Sequence, residues 1–338
     1  MNILAIESSC DETAVAIVAD GRTVLTDCIA SQVALHRIYG GVVPEIASRK
    51  HIEAIYALAD QALDDTGLTR NDIDAVAVTY APGLIGAVLV GVNFGKSISL
   101  ALGKPLIPVH HIRGHIAANY IAYPELKPPF LCLVVSGGHT MIVDVKDYTQ
   151  MEILGGTLDD AAGECFDKVG RVLGMPYPGG AALDKAAQLG RSDGYVLPRA
   201  KAGNNPLDMS FSGLKTAALN LIHNAQQVGQ KININDLCAS FCSAVSDMLV
   251  PRTMSALEQT GYKKLAIAGG VAANSVIRRD FLSAADKCGV ELYLPPLSLC
   301  GDNAAMIGAQ AYYEFLSGNV ADMSLNAYAT KSILGETL

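Results

Sequence analysis

Two histidines, His111 and His115, stand four residues apart in the run His110-His111-Ile112-Arg113-Gly114-His115. On a helix that spacing stacks both imidazoles on one face, the geometry in which two histidines hold one metal ion. The plainer alternative is a polar helix start whose histidines act as caps. A zinc peptidase would need glutamate directly after the first histidine. Ile112 stands there, so no residue between the pair can activate water. A third ligand must come from far along the chain. Cys300-Gly301-Asp302-Asn303-Ala304-Ala305 offers Asp302, an acid in a tight turn before an expected helix at 304–316. Asp302 would serve equally well as a helix N-cap. Two histidines and one aspartate with open positions suit Fe(II) or Zn(II).

A second set of residues suits an anion. Ser136-Gly137-Gly138 lets backbone amides approach a phosphate with no Cβ in the way. Gly179-Gly180 follows Pro178, and Asp184 falls four residues after Gly180, where it would meet a ligand hydroxyl or simply favour the start of a helix.

These side chains need elements to position them. Ile3-Leu4-Ala5-Ile6 and Thr13-Ala14-Val15-Ala16-Ile17-Val18 read as strands flanking the polar turn Glu7-Ser8-Ser9-Cys10-Asp11-Glu12. An amphipathic helix is expected over 49–67, with Ile52, Ile55, Leu58, Ala59, Ala62 and Leu63 on one face. A buried strand over 73–79 turns at Pro82-Gly83-Leu84 into a helix over 85–102 that Gly103 closes. The order then recurs. Strands over 131–135 and 140–145 flank Ser136-Gly137-Gly138-His139, and a strand over 264–268 runs through Gly269-Gly270-Val271-Ala272-Ala273-Asn274 into a helix.

Such matched order implies an internal duplication: two α/β lobes, 1–110 and 111–338. The second carries a largely helical insertion at about 156–262 with a loop near 198–212, and the final helix packs back on the first lobe. The expected fold is the two-lobed, duplicated architecture of the actin, sugar-kinase and Hsp70 superfamily (ASKHA), with a nucleotide cleft between the lobes.

Bulk properties fit a well-buried globular chain. Half of the 338 residues are hydrophobic and 17% are charged. The net charge of −8 gives no overall footprint for nucleic acid, leaving local pairs such as Arg49-Lys50, Lys263-Lys264 and Arg278-Arg279. Eight scattered cysteines without a Cys-x-x-Cys read as buried thiols in a reducing compartment. The uncharged run 75–95 raises a membrane span, but Pro82 and its glycines argue for strand, turn and helix. The start lacks the basic residues of a signal peptide, and the expected location is the cytoplasm.

The ordered motifs resemble the TsaD family, which makes N-threonylcarbamoyl adenosine in tRNA. They are Ile6-Glu7-Ser8-Ser9-Cys10-Asp11-Glu12-Thr13, Tyr39-Gly40-Gly41-Val42-Val43-Pro44-Glu45 with Ala47-Ser48-Arg49, and Pro108-Val109-His110-His111 with Gly114-His115. Val135-Ser136-Gly137-Gly138-His139-Thr140, Phe166-Asp167-Lys168, Tyr177-Pro178-Gly179-Gly180 and Phe211-Ser212-Gly213-Leu214-Lys215-Thr216 follow. Gly269-Gly270-Val271-Ala272-Ala273-Asn274 and Gly301-Asp302-Asn303-Ala304-Ala305-Met306 complete the series. Departures at Ala81, Cys165 and Ala181 touch no ligand position.

The resemblance implies an acyltransferase that moves threonylcarbamoyl from threonylcarbamoyl-AMP to the N6 amine of the adenosine 3′ of the anticodon. The acceptors are tRNAs reading ANN codons, and AMP is released. It implies one Fe(2+), with Zn(2+) the alternative, on His111, His115 and Asp302. It places the donor along Val134, Val135, Ser136, Gly137 and Gly138, with Asp167, Gly180, Asp184 and Asn274. TsaB-like and TsaE-like subunits are the implied protein partners. The exocyclic amine is a weak nucleophile, so a base is needed, and Asp11 or Glu12 at the first hairpin turn is the candidate. The competing readings are an ASKHA-type ATPase or kinase and, less well supported, a metallopeptidase.

Overall fold

The computed structural model describes residues 1–200 and 203–334. Lys201 and Ala202 of the expected loop, and residues 335–338 of the expected second lobe, lie outside the described residues. In chain order the elements begin with β1 (Asn2–Glu7), β2 (Glu12–Ala19), β3 (Thr23–Ser31), α1 (Val33–His36) and α2 (Pro44–Thr66). β4 (Ala75–Ala81), α3 (Ile85–Leu102), β5 (Leu106–His110) and α4 (His111–Ala122) follow. Then come β6 (Phe130–Val135), β7 (Thr140–Val145), β8 (Met151–Gly156), α5 (Ala162–Val172), α6 (Gly179–Ala187), α7 (Ser212–Gln227) and α8 (Ile234–Thr260). The chain closes with β9 (Lys264–Ala268), α9 (Ser275–Cys288), β10 (Glu291–Tyr293) and α10 (Ala304–Leu316).

These elements form two compact units. The first holds residues up to Pro128, Lys146–Met151 and the described residues from Pro295 onward; the second holds Pro129–Val145 and Glu152–Leu294. The expected boundary at 110 therefore moves to 128, and the chain returns to the first unit at its end. The reason is local: β5 runs into α4 with no linker, and α4 packs on α10.

The first unit is built on the sheet β3-β2-β1-β4-β5, in which β1 pairs antiparallel with β2 and parallel with β4. The second unit has β10-β9-β6-β7-β8, with β6 antiparallel to β7 and parallel to β9. Read from the outer hairpin strand, both sheets have one strand order, and the pairings about β1 and β6 match in polarity, which is the duplication expected from the strand and glycine-turn pattern. The insertion is helical as expected, comprising α5 to α8.

β1 buries both faces. Leu4 and Ile6 point toward α2 and α3, while Ile3 and Ala5 pack with Ala305, Met306 and Ile307 of α10. Each fully buried Ile or Val side chain contributes about 1.5–3 kcal/mol. Gly308 allows α10 to come this close, since a Cβ there would lie 2.6 Å from a Val18 methyl.

The apolar run divides into β4 and α3, as expected. Ile85–Leu102 is long and apolar enough to cross a membrane by length and composition, and its buried stripe of Ala87, Val88, Gly91, Val92 and Gly95 packs on the sheet side. Helix α2 starts five residues earlier than expected, with Pro44 in its first turn. Its buried face carries His51 in place of Ile52, which is 65% exposed. His51 is drawn inward by hydrogen bonds to the Thr13 hydroxyl at 2.8 Å and the Cys10 carbonyl at 2.9 Å.

After α10 the chain runs back across the first unit as a strap. Ala321 donates to the Leu106 carbonyl and Tyr328 to that of Tyr80, while Gly83 donates to the carbonyl of Ala329. His110 Nε2 meets the Lys331 carbonyl, and Arg113 donates twice to that of Ile333.

Candidate metal centre

His110 ends β5 and caps α4, its Nδ1 accepting the backbone N–H of Ile112. The helix then presents His111 and His115 on one side, their rings 4.6 Å apart. The turn before α10 brings Asp302 to them: its Oδ1 lies 3.2 Å from His115 Nε2 and 3.6 Å from His111 Nε2. All three ligand atoms fall within 4.8 Å of one another. The cap of α10 is Asn303, whose side chain accepts the Met306 N–H at 2.8 Å. That settles the alternative for Asp302, whose carboxylate is not the cap.

His115 Nδ1 is buried without a hydrogen-bond partner, and Nε2 makes no hydrogen bond although Asp302 Oδ1 lies 3.2 Å away. Buried imidazole nitrogens without hydrogen bonds are costly. A divalent ion held by His111, His115 and Asp302 would account for Nε2, and the N,N,O donor set suits Fe(2+) or Zn(2+).

Glu7, at the end of β1, stands behind His111, its Oε2 3.1 Å from Nδ1. Burial alone would lower the His111 pKa, but the carboxylates of Asp302 and Glu7 outweigh it and raise it to about 9. For Glu7 burial pushes upward, and the charge and hydrogen bond of His111 bring it below its ordinary value.

Asp11 and Glu12 sit at the β1–β2 turn as expected. The Asp11 carbonyl accepts the N–H of Gln32 at 3.0 Å. Glu12 Oε1 accepts the Ser31 hydroxyl at 2.8 Å, while Oε2 is buried with no hydrogen-bond partner. Burial chiefly raises the Glu12 pKa to about 7; the Ser31 hydrogen bond opposes this, and the charges of Asp11 and Asp302 add to it.

In the second unit, Ser136-Gly137-Gly138 joins β6 to β7. Space beside both glycines is open, since a Cβ at either would meet nothing within 4 Å. Ser136 fixes the turn, its N–H donating to His139 O and its hydroxyl accepting from His139 N. Val134 and Val135 are fully buried, so only their backbone is available to a ligand. Asp167 Oδ1 accepts the N–H groups of Gly179 at 2.8 Å and Gly180 at 3.3 Å, covering the N-terminus of α6. Asp184 lies inside α6 and not at its start, and its Oδ1 accepts from the backbone and hydroxyl of Ser275. Asn274 caps α9 through its side-chain oxygen and donates to Cys242 Sγ. These residues thus tie α5, α6 and α9 together around the glycine turns. Gly269 has φ +94°, and a Cβ there would stand 2.5 Å from the Val135 carbonyl, so only glycine fits.

The basic pairs are less free than the sequence suggests. Arg49 pairs with Glu45, Lys50 with Glu53 and Arg279 with Asp280, while Arg278 donates to the Ala272 carbonyl. Sequence reading missed Glu7, Thr79 and Arg113. The available signal for Glu7 was a lone carboxylate directly after four apolar strand residues.

Two sheets of one duplicated topology, with a histidine–aspartate cluster able to hold a metal in one unit and a glycine turn joining the hairpin of the other, define an ASKHA-fold protein. Full-length HypF in its phosphate- and nucleotide-bound form is similar, with TM-score 0.61 and 14% identity over 98% of this chain and 47% of that one. The Acidaminococcus fermentans (R)-2-hydroxyglutaryl-CoA dehydratase component A has TM-score 0.53 and 14% identity, covering 93% and 98%. These likenesses establish the fold. The family described as "TsaD: tRNA N6-adenosine threonylcarbamoyltransferase" matches residues 23–309. A protein of that name from Moorella thermoacetica is 56% identical over 96% of this chain and 95% of its own length. One from Clostridium botulinum strain Kyoto is 53% identical, covering 97% and 96%. The chain belongs to the TsaD family of tRNA N6-adenosine threonylcarbamoyltransferases.

Proposed function

We propose that this chain transfers a threonylcarbamoyl group from threonylcarbamoyl-AMP to N6 of the adenosine 3′ of the anticodon in tRNAs reading ANN codons. The observation that carries the reading is the His111–His115–Asp302 cluster, two buried histidines and a half-buried aspartate, in a chain of this family. His111, His115 and Asp302 would hold one Fe(2+), or Zn(2+) in its place. When bound, such an ion supplies Lewis-acid charge that favours phosphate and the charge developing on the leaving AMP.

The chain's own residues supply the rest. Backbone amides at Gly137 and Gly138 offer the donor phosphate a close approach unobstructed by Cβ atoms, while the Ser136 amide holds the turn through His139. Val134 and Val135 fix that turn from the core, and Asp167, Gly180, Asp184 and Asn274 set the helix ends that frame it. As the N6 lone pair forms a bond to the carbamoyl carbon, the carbon–oxygen bond to phosphate breaks and AMP leaves. The N6 proton passes to Glu12, whose carboxyl pKa is held up chiefly by burial, with the charge of Asp11 adding to it.

tRNA, TsaB-like and TsaE-like subunits are the proposed partners, and the cytoplasm is the proposed location. Transfer from synthetic donor to unmodified tRNA, followed by nucleoside mass spectrometry, tests the assignment. Modified adenosine should form with wild type and fall to background in His111→Ala/His115→Ala. Full activity of that variant would remove the metal from the reaction.

A further inference from the structure

Glu7 is fully buried, an expensive place for a carboxylate unless both oxygens are engaged. They are. Oε1 accepts the Ser9 N–H at 2.5 Å, and Oε2 accepts the Thr79 hydroxyl at 2.6 Å while facing His111 Nδ1 at 3.1 Å. Thr79 is itself buried in β4, so the carboxylate is held from two sides by rigid backbone. Packing alone does not call for an acid here, because an apolar side chain would continue the run Ile3-Leu4-Ala5-Ile6 without any polar requirement. The neighbouring ligand shows the contrast: His115 Nδ1 has no hydrogen-bond partner, whereas His111 Nδ1 faces Glu7 and, at 3.2 Å, the Ser9 hydroxyl.

We propose that Glu7 is the positioning residue of the metal centre. It takes the Nδ1–H of His111, fixes the ring orientation and tautomer, and leaves the Nε2 lone pair directed at the ion shared with His115 and Asp302. Thr79 and the Ser9 amide hold Glu7 at that task. The inference rests on the reading of this cluster as a metal site. Outer-shell carboxylates of this kind orient the ring and raise its basicity as a ligand.

The experiment titrates the full-length chain with Zn(2+) against a competing chelator, comparing wild type, Glu7→Gln, Thr79→Val, Thr79→Ser, His111→Ala, Glu7→Gln/His111→Ala and Thr79→Val/His111→Ala. Melting temperatures are recorded for each. Glu7→Gln should weaken Zn(2+) binding about 10–100-fold, and Thr79→Val should weaken it by less, with Thr79→Ser close to wild type. In the His111→Ala background Glu7→Gln should add no further loss, because its effect passes through that ring. In ¹⁵N-histidine spectra of the Zn(2+)-loaded wild type, His111 should carry its proton on Nδ1. Affinity of Glu7→Gln equal to wild type, or an equal loss with and without His111, would overturn the proposal. If Glu7→Gln does not fold, Thr79→Val decides by the same comparison. A wild-type chain that binds no Zn(2+) would instead overturn the metal reading, and this inference with it.

Discussion

At the residue scale, the centre divides its labour between side chains that differ only in surroundings. Asp302 is not the cap of α10, and with the metal role proposed for it Asp302→Ala should lower bound metal by orders of magnitude while Asn303 still starts α10. Elemental analysis after dialysis, together with circular dichroism, would register both outcomes. Glu12 makes a different prediction. As a base with a pKa of about 7, it should give a transfer rate that falls as pH drops below that value. Glu12→Gln should cut the single-turnover rate about 10²–10⁴-fold and abolish that limb of the profile. Stability moves the other way. The folded chain binds the Glu12 proton more tightly than the unfolded chain, whose carboxyl titrates near 4.5. The Glu12 contribution is therefore fully present below that pH and is lost as pH rises through about 7. Melting curves at acid and mildly alkaline pH should show a smaller drop for Glu12→Gln than for wild type.

At the element scale, the ligands meet because α4 and α10 lie close. Gly114, between the two histidines, permits this: a Cβ there would stand 2.7 Å from Ile307 Cδ1 and 3.3 Å from Met306 Cγ. Gly114→Val should force the helices apart, costing about 1–3 kcal/mol of stability and weakening metal binding in parallel. Denaturant unfolding and chelator competition on one preparation would measure both, and unchanged metal affinity would show that the ligands are set by something other than helix spacing. Much of this arrangement is legible in the residues. The four-residue histidine spacing, the acid before 304–316 and the repeated glycine turns are local patterns tied directly to helix and strand geometry. What was not legible depends on facing elements. Nothing near Ile52 says that the helix turns His51 inward, since the reason lies at Thr13 and Cys10. Likewise, Glu7 reads as a turn residue until Thr79 and His111 are brought to it. The division of the compact units at 128 and not at 110 has the same cause, because only the packing of α4 on α10 assigns α4 to the first unit.

At the scale of the whole molecule, charge governs the encounter with tRNA. The chain carries −8 overall, and Arg49, Lys50 and Arg279 are each already beside a carboxylate. Such exposed pairs are worth little, so a phosphate can replace the acid, but the gain is small and screened by salt. The isolated chain should therefore bind tRNA weakly, with affinity falling steeply between about 50 and 200 mM salt. Filter binding across that range checks it, and tight, salt-insensitive binding would contradict the docking of tRNA on these local basic groups.

The return of the chain to its first unit also has a consequence in time. β1, β2, β4 and β5 leave the ribosome early, yet the helix that covers Ile3, Ala5 and Val18 belongs to the segment from Pro295 onward. At synthesis rates of about 5–20 residues per second, roughly ten to forty seconds separate the completion of β5 and α4 from the arrival of α10. Throughout that interval this face of the first sheet has α4 but not α10 against it, and the two histidines have no Asp302. The second unit, continuous but for a short excursion, has all its strands before the first is closed. A nascent chain of this protein thus closes last the unit it began first, and the three residues proposed to hold a metal come together only once translation has passed Asp302.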